Sequence, residues 1–184
     1  MFRMSRKLNE ALIILEKEGR IKFGNMFFRR YNPLKDKICE KYTNEEWKKI
    51  LGETTEDDLA DLSNCSNVVI YLWCDMISEL PQGMIYLEED FKNPGHIIFH
   101  GGTWNHDYRY YNSIFDSLIN LFYFLNNLGY GLLTTCSADN LTADKFQKAL
   151  GFEEISREYN IINKKLDIKK FLSLPLTTRF FPKN

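Results

Sequence analysis

This sequence lacks more than it offers. No run of 18 apolar residues occurs in its 184 positions, so no membrane-spanning helix is expected. The formal net charge is −1 and no long basic run offsets it, which argues against a nucleic-acid-binding surface. Four cysteines (Cys39, Cys65, Cys74 and Cys136) form no Cys-x-x-Cys pair and no zinc-like spacing. Free thiols in a reducing compartment are therefore expected, with neither a disulfide framework nor a metal centre. There is no internal repeat and no low-complexity tract. The first residues, MFRMSRKLNEALIILEKEGR, break their apolar run with charges and offer no small-residue cleavage site, unlike a signal peptide. A cytoplasmic location follows as the expectation.

Apolar residues, by contrast, make up 44% of the chain and aromatics 15%, enough to bury a sizeable core. Paired cations such as Arg29–Arg30, Lys164–Lys165 and Lys169–Lys170 read as solvated surface. Leu8, Ala11, Leu12 and Leu15 recur at helical spacing, after Ser5 as a cap and before Gly19 as a stop. A strand-like stretch runs up to Pro33. A capped helix over YTNEEWKKILGE follows, then an acidic turn or short helix at TTEDDLADLSN. The run NVVIYLWCD is continuous and β-branched, which suits a strand buried on both faces. It forms a predicted hairpin with GMIYLEED, and HIIFHGGTW makes a third strand. The next helix, SIFDSLINLFYFLNNLG, is apolar almost all round, with Ser113 as its expected cap. The strand YGLLTTC follows, and then two closing strands are expected, FEEISREYNII and KKLDIKKFLSLPL, with a turn near Asn163. The fold class is thus α/β (α+β) with a mixed sheet. Its expected organisation is an N-terminal helix over 1–19, a domain over 20–175 and a tail over 176–184.

Directly after YGLLTTC comes SADNLTADKFQKALGFEE, a capped helix that stops at Gly151 and runs into the first closing strand. Asn140 is followed eleven residues later by Gly151-Phe152. A helix needs a positive-φ stop, which glycine supplies without a Cβ clash. This stretch, with the strand–long helix–strand unit before it, resembles the GNAT family (Gcn5-related N-acetyltransferases) over about residues 20–175. The resemblance implies a GNAT-like acyl-CoA N-acyltransferase fold with an N-terminal helix. It implies acetyl-CoA as cofactor, lying where HIIFHGGTW splays from YGLLTTC, and its pyrophosphate at the start of the long helix. It also implies transfer of an acetyl group to a small-molecule or protein amine. Thr103, Trp104, Asn105, Arg109, Asn112, Ser113 and Asn140 are the implied cofactor-binding residues.

Two departures from the family pattern stand out. The usual phosphate loop carries small residues, whereas here Arg109 takes the first position and Asn112 and Ile114 occupy the positions of the small ones. Asn112 and Ser113 can still donate side-chain hydrogen bonds. Many members have a tyrosine seven residues after the asparagine, as acid toward the leaving thiolate. Here that position is Gln147, which donates a hydrogen bond but is no useful proton source. Gln147 and His100 are the catalytic candidates, His100 as a base with a suitable ordinary pKa.

Other polar residues fit the pattern less closely. His96 and His100 share one face of a strand but lie about 13 Å apart, too far for a metal pair. His106 and Asp107 can face an anion or simply cap the helix. Glu88, Glu89 and Asp90 suit an amine or a solvated strand end. Cys136 lacks any nameable thiolate-stabilising neighbour. Gly101 and Gly102 permit close approach of another backbone or of a ligand.

A rival reading makes the chain a catalytically inactive GNAT-fold interaction protein. Its contact surfaces would be Tyr108–Asn112 and the aromatic tail with Phe180 and Phe181. The richness in Asn, Lys, Ile, Tyr and Phe suits an AT-rich phage or gut-bacterial source, and a phage particle is the matching location. A third reading keeps acyl-CoA binding without turnover.

Overall fold

The computed structural model describes residues 6–16, 20–23, 25–38, 54–104 and 108–175, with backbone alone at Arg6, Phe23 and residues 108–111. The predicted helix over YTNEEWKKILGE, the cap Ser5, the stop Gly19, Cys39, Asn105 to Asp107 and the tail with Phe180 and Phe181 lie outside the described residues.

Five helices and eight strands occur among those residues. They are α1 (Arg6–Leu15), β1 (Ile21–Phe23), β2 (Met26–Arg30), α2 (Glu56–Ser63), β3 (Val68–Asp75), β4 (Pro81–Glu89) and β5 (His96–Thr103). They continue with α3 (Tyr108–Asn127), β6 (Gly131–Ser137), α4 (Leu141–Ala149), β7 (Phe152–Glu158), β8 (Ile161–Leu166) and α5 (Ile168–Ser173). The strands pair in the order β1-β2-β3-β4-β5-β6-β8-β7. The β5–β6 pair is parallel, while β1–β2, β2–β3, β3–β4, β6–β8 and β7–β8 are antiparallel. The expected mixed sheet is what forms.

The chain divides into two compact units. The first holds Met1–Glu89 and His100–Ser117, the second Asp90–Phe99 and Leu118–Asn184. In the first unit every residue of β3 is buried, as its unbroken apolar run predicts. One core gathers Phe27, Ile70, Leu72, Met84 and Trp104 with Leu59 of α2. A bulge leaves Gln82 as the extra residue of β4, because Trp73 opposes Gly83 while Cys74 opposes Pro81. The acidic stretch is a helix, closed by a capping box between Thr55 and Asp58.

In the second unit Phe122 of α3 packs edge-on against Phe99 and Phe152, at 5.1 and 5.6 Å between ring centres. Gly151 has φ +91°, the left-handed stop the sequence requires, and Phe152 beyond it is wholly buried.

Four local expectations need correction. The β7–β8 turn is at Tyr159–Asn160 rather than near Asn163, with Tyr159 itself at φ +51°. The second closing strand ends at Leu166. Asp167 then caps α5 by accepting from the amides of Lys169 and Lys170. Helix α3 begins at Tyr108, so Ser113 lies inside it and does not cap it; its carbonyl accepts from the Ser117 hydroxyl at 2.7 Å. Lys164 is not solvated surface but is completely buried.

Candidate functional site

The second unit contains a connected buried polar network. The parallel ladder between β5 and β6 runs from His96↔Gly131 to Phe99↔Thr134 and ends there. β6 continues to Ser137. At that last pair the hydroxyl of Thr134 donates to the Phe99 carbonyl at 2.8 Å. The Gln147 amide donates to Thr134 Oγ1 at 3.1 Å and to the Thr135 carbonyl at 3.0 Å. Its own oxygen accepts from Lys164 Nζ at 2.9 Å. Lys164 completes its shell on Asp144, with its carboxylate at 2.6 Å and its carbonyl at 3.4 Å.

Helix periodicity explains the placement. Asp144 and Gln147 are three apart on α4 and share a face. Thr134 and Lys164 are directly opposed on β6 and β8, so they also share a face. A lysine is rarely fully buried unless its ammonium is paired, and this one is. The Lys148 and Lys164 ammonium groups hold the Asp144 carboxyl down at about 2.

At the opposite end of α4, Asn140 is exposed and caps the helix by accepting from the Ala143 amide at 3.0 Å. Gln147 sits in the helix's last turn, 7% exposed, with both amide hydrogens donated to the protein. Thus the structure ties one catalytic candidate, Gln147, into a directed chain that sequence reasoning missed. The available signal was the alternation of Ile162, Lys164 and Leu166 along β8, which puts Lys164 on the buried face.

The first unit holds His100, Thr103, Trp104, Asn112 and Ser113. His100 stacks on Tyr86 at 4.5 Å, and burial drives its imidazole down to about 4. Around neutral pH it is uncharged. Thr103 donates its hydroxyl to the Gln82 carbonyl at 2.6 Å, and the Trp104 amide shares that acceptor at 3.2 Å. The Trp104 indole N–H donates to the Pro81 carbonyl at 3.0 Å, and its ring belongs to the buried core. The bulge at Gln82 therefore presents its carbonyl to the end of β5.

The glycines serve the same junction. A Cβ on Gly83 would lie 2.5 Å from the Gly102 carbonyl, and one on Gly101 would lie 2.7 Å from the Met84 carbonyl. The backbone that approaches the Gly-Gly pair is thus that of β4. In α3, Asn112 is exposed and Ser113 half-buried, while Ile114 is buried. Because the helix starts at Tyr108, the amides left free at its beginning precede Asn112. Arg109 is in that first turn, and Asn105 lies outside the described residues. Cys136 is buried at the end of β6, and the Asp90 carboxylate closes a turn on the amides of Lys92 and Asn93.

No group of three metal-ligating side chains occurs among the described residues. No described helix is long and apolar enough to cross a membrane.

No protein-family model matches the sequence, and no curated protein matches it significantly. Solved structures do match the fold. A GCN5-related N-acetyltransferase from Brucella melitensis is similar with a TM-score of 0.68 at 14% identity, covering 88% of this chain and 83% of that one. A probable GNAT-family acetyltransferase from Chromobacterium violaceum gives 0.66 at 15%, covering 81% and 86%. AAC(6')-Ib, in a complex that includes AcetylCoA, gives 0.64 at 14%, covering 83% and 98%. With an eight-stranded mixed sheet, five helices among the described residues and these structural neighbours, the chain has the fold of the GNAT acetyltransferases.

Proposed function

We propose that the chain is an acyl-CoA-dependent N-acetyltransferase acting on an amine. One observation carries the reading: the β5–β6 ladder ends at Phe99↔Thr134 while β6 runs on for three residues. Strand backbone released from its ladder can pair with the amides of an acyl-pantetheine arm. The fold, shared with a structure solved with AcetylCoA, supports that choice of ligand. Candidate cofactor contacts, each taken within its own unit, are Asn140 at the end of the loop after β6 and Arg109, Asn112 and Ser113 in the first turns of α3. Helix starts favour anions because their amides are free and the dipole is favourable.

The proposed chemistry is attack of a neutral amine on the thioester carbonyl: the C–N bond forms, the C–S bond breaks, and the nitrogen's extra proton passes through solvent to the CoA thiolate. His100 is the base candidate. Held near 4, it takes a proton from an ammonium poorly, so the amine must arrive already deprotonated. Gln147 has no amide hydrogen left to donate and is no acid, so the thiolate leaves to solvent. That commitment of Gln147 also supports a second reading, acyl-CoA binding without turnover.

Calorimetric titration with acetyl-CoA, followed by a thiol-release screen over amines, tests both. Micromolar binding weakened by Ser113→Arg is expected, with a rate that climbs with pH toward the amine's own pKa. Binding without thiol release would select the second reading. No heat at millimolar cofactor would defeat both.

A further inference from the structure

The hydrogen-bond chain in the second unit has a fixed direction. Lysine has donors and no acceptor, so Gln147 must turn its oxygen to Lys164. Its NH2 group then faces β6, where the Thr135 carbonyl can only accept. Thr134 Oγ1 receives one Gln147 hydrogen, which sends its own proton to the Phe99 carbonyl. Each step leaves the next without an alternative. The chain starts at a buried ammonium and finishes at the last paired residue of the parallel ladder.

We propose that Lys164 is a positioning residue of the acyl-binding edge. Through Gln147 and Thr134 it fixes where β5 and β6 part. The chain gives two backbone carbonyls, Phe99 and Thr135, side-chain donors. Side chains anchored on α4 and β8 thereby set the end of the ladder. Lys164 touches no ligand in this scheme and acts through the backbone it holds. The consequence for cofactor affinity rests on the acyl-CoA reading; the claim about the strands does not.

The test is residue-level hydrogen exchange on the full chain, with acetyl-CoA titrations alongside. Thr134→Val removes one hydroxyl and keeps the shape. Lys164→Met removes the ammonium; should it fail to fold, Lys164→Met with Gln147→Leu removes the orphaned amide as well. Each variant should speed exchange at residues 98–100 and 134–136 by about tenfold relative to the rest of β6 and β8. Thr134→Val combined with a Lys164 variant should be no faster than the faster component, since both cut one chain.

Acetyl-CoA affinity should fall with the same non-additivity. Unchanged exchange at those residues, or effects of the two sites that simply add, would overturn the assignment, even if Lys164→Met lowers the melting temperature. If the wild-type chain binds no acetyl-CoA, the function proposed above falls, and the exchange data still decide the role of Lys164.

Discussion

The first compact unit buries several ionisable groups outside any salt bridge, whereas the second buries an ammonium against a carboxylate. In the first, burial pushes three of them toward their neutral forms, while Asp36 is buried against the Arg29 guanidinium at 2.7 Å. His100 falls to about 4, and the Cys74 thiol rises to about 11 despite the nearby Arg29. The Tyr71 phenol, desolvated and bonded to the Glu16 carboxylate, is raised as well. In the second unit the ammonium of Lys164 is buried with a carboxylate at 2.6 Å and an amide oxygen at 2.9 Å. The difference is the partner. Burial without an opposite charge favours the neutral form, whereas a well-placed counterion and filled hydrogen bonds offset the cost of burying a charge.

The most damaging way to break this comparison is to remove the partner. Lys164→Met strands the Gln147 oxygen and half-releases Asp144, and should cost about 3 kcal/mol in denaturant unfolding, at the low end for a broken buried pair because Asp144 retains some solvent. Adding Gln147→Leu should recover part of that loss, because replacing both polar partners costs less than orphaning one. A double variant less stable than the single one would show that the amide matters independently of the lysine.

A change of shape in the first unit comes next. Gly83→Ala sets a Cβ against the Gly102 carbonyl and Thr103 Cα, both backbone atoms that cannot swing away. A loss of about 2 kcal/mol is expected, as for other overpacked sites. The Trp104 indole should move with it, because its hydrogen bond to Pro81 spans the same junction. A shift in tryptophan fluorescence on Gly83→Ala, absent from Lys164→Met, would confine the two effects to their own units.

The neutral histidine sharpens the comparison through pH. Its folded pKa, about 4, lies below the unfolded value near 6.5. Between those values the unfolded chain binds more protons, so stability rises with pH. The His100 contribution is complete above about pH 6.5 and fades as pH falls to about 4, by about 3 kcal/mol. Asp144, held near 2, loses its contribution only below about pH 4, so the two windows barely overlap. His100→Phe keeps a ring on Tyr86 and should flatten the upper window while sparing the lower. An unchanged slope between pH 6.5 and 4 would sink the assignment to His100.

Apolar periodicity and turn residues displayed β3, the hairpin, the long helix and the Gly151-Phe152 stop, because each depends on neighbours in sequence. The start of α3 was hidden because Tyr108 to Asn112 shows no apolar repeat and Ser113 resembles a cap. The Tyr159–Asn160 turn was hidden because a tyrosine at positive φ breaks the usual turn chemistry. Helix α5 had its signal, Asp167 as a cap, but the stretch KKLDIKKFLSLPL around it read as one strand. Lys164 was the deepest miss. Its burial depends on Asp144 and Gln147, about twenty residues away, and composition gives no sign of that pairing.

The smallest effect separates cap from contact at Asn140. As the N-cap of α4 its side chain satisfies the Ala143 amide, and Asn140→Ala should cost about 1 kcal/mol. Asp and Ser cap almost as well, so Asn140→Asp or Asn140→Ser should restore the melting temperature. Acetyl-CoA affinity divides the possibilities. If Asn140 serves only the helix, affinity follows stability and returns with either capping residue. If its amide also meets the cofactor, as proposed, Asn140→Asp restores the cap but puts a carboxylate where an amide donated. Affinity then stays low in a fully stable protein. That split between melting temperature and dissociation constant would mark the exposed end of α4 as binding surface, while Gln147 at its other end remains part of the core.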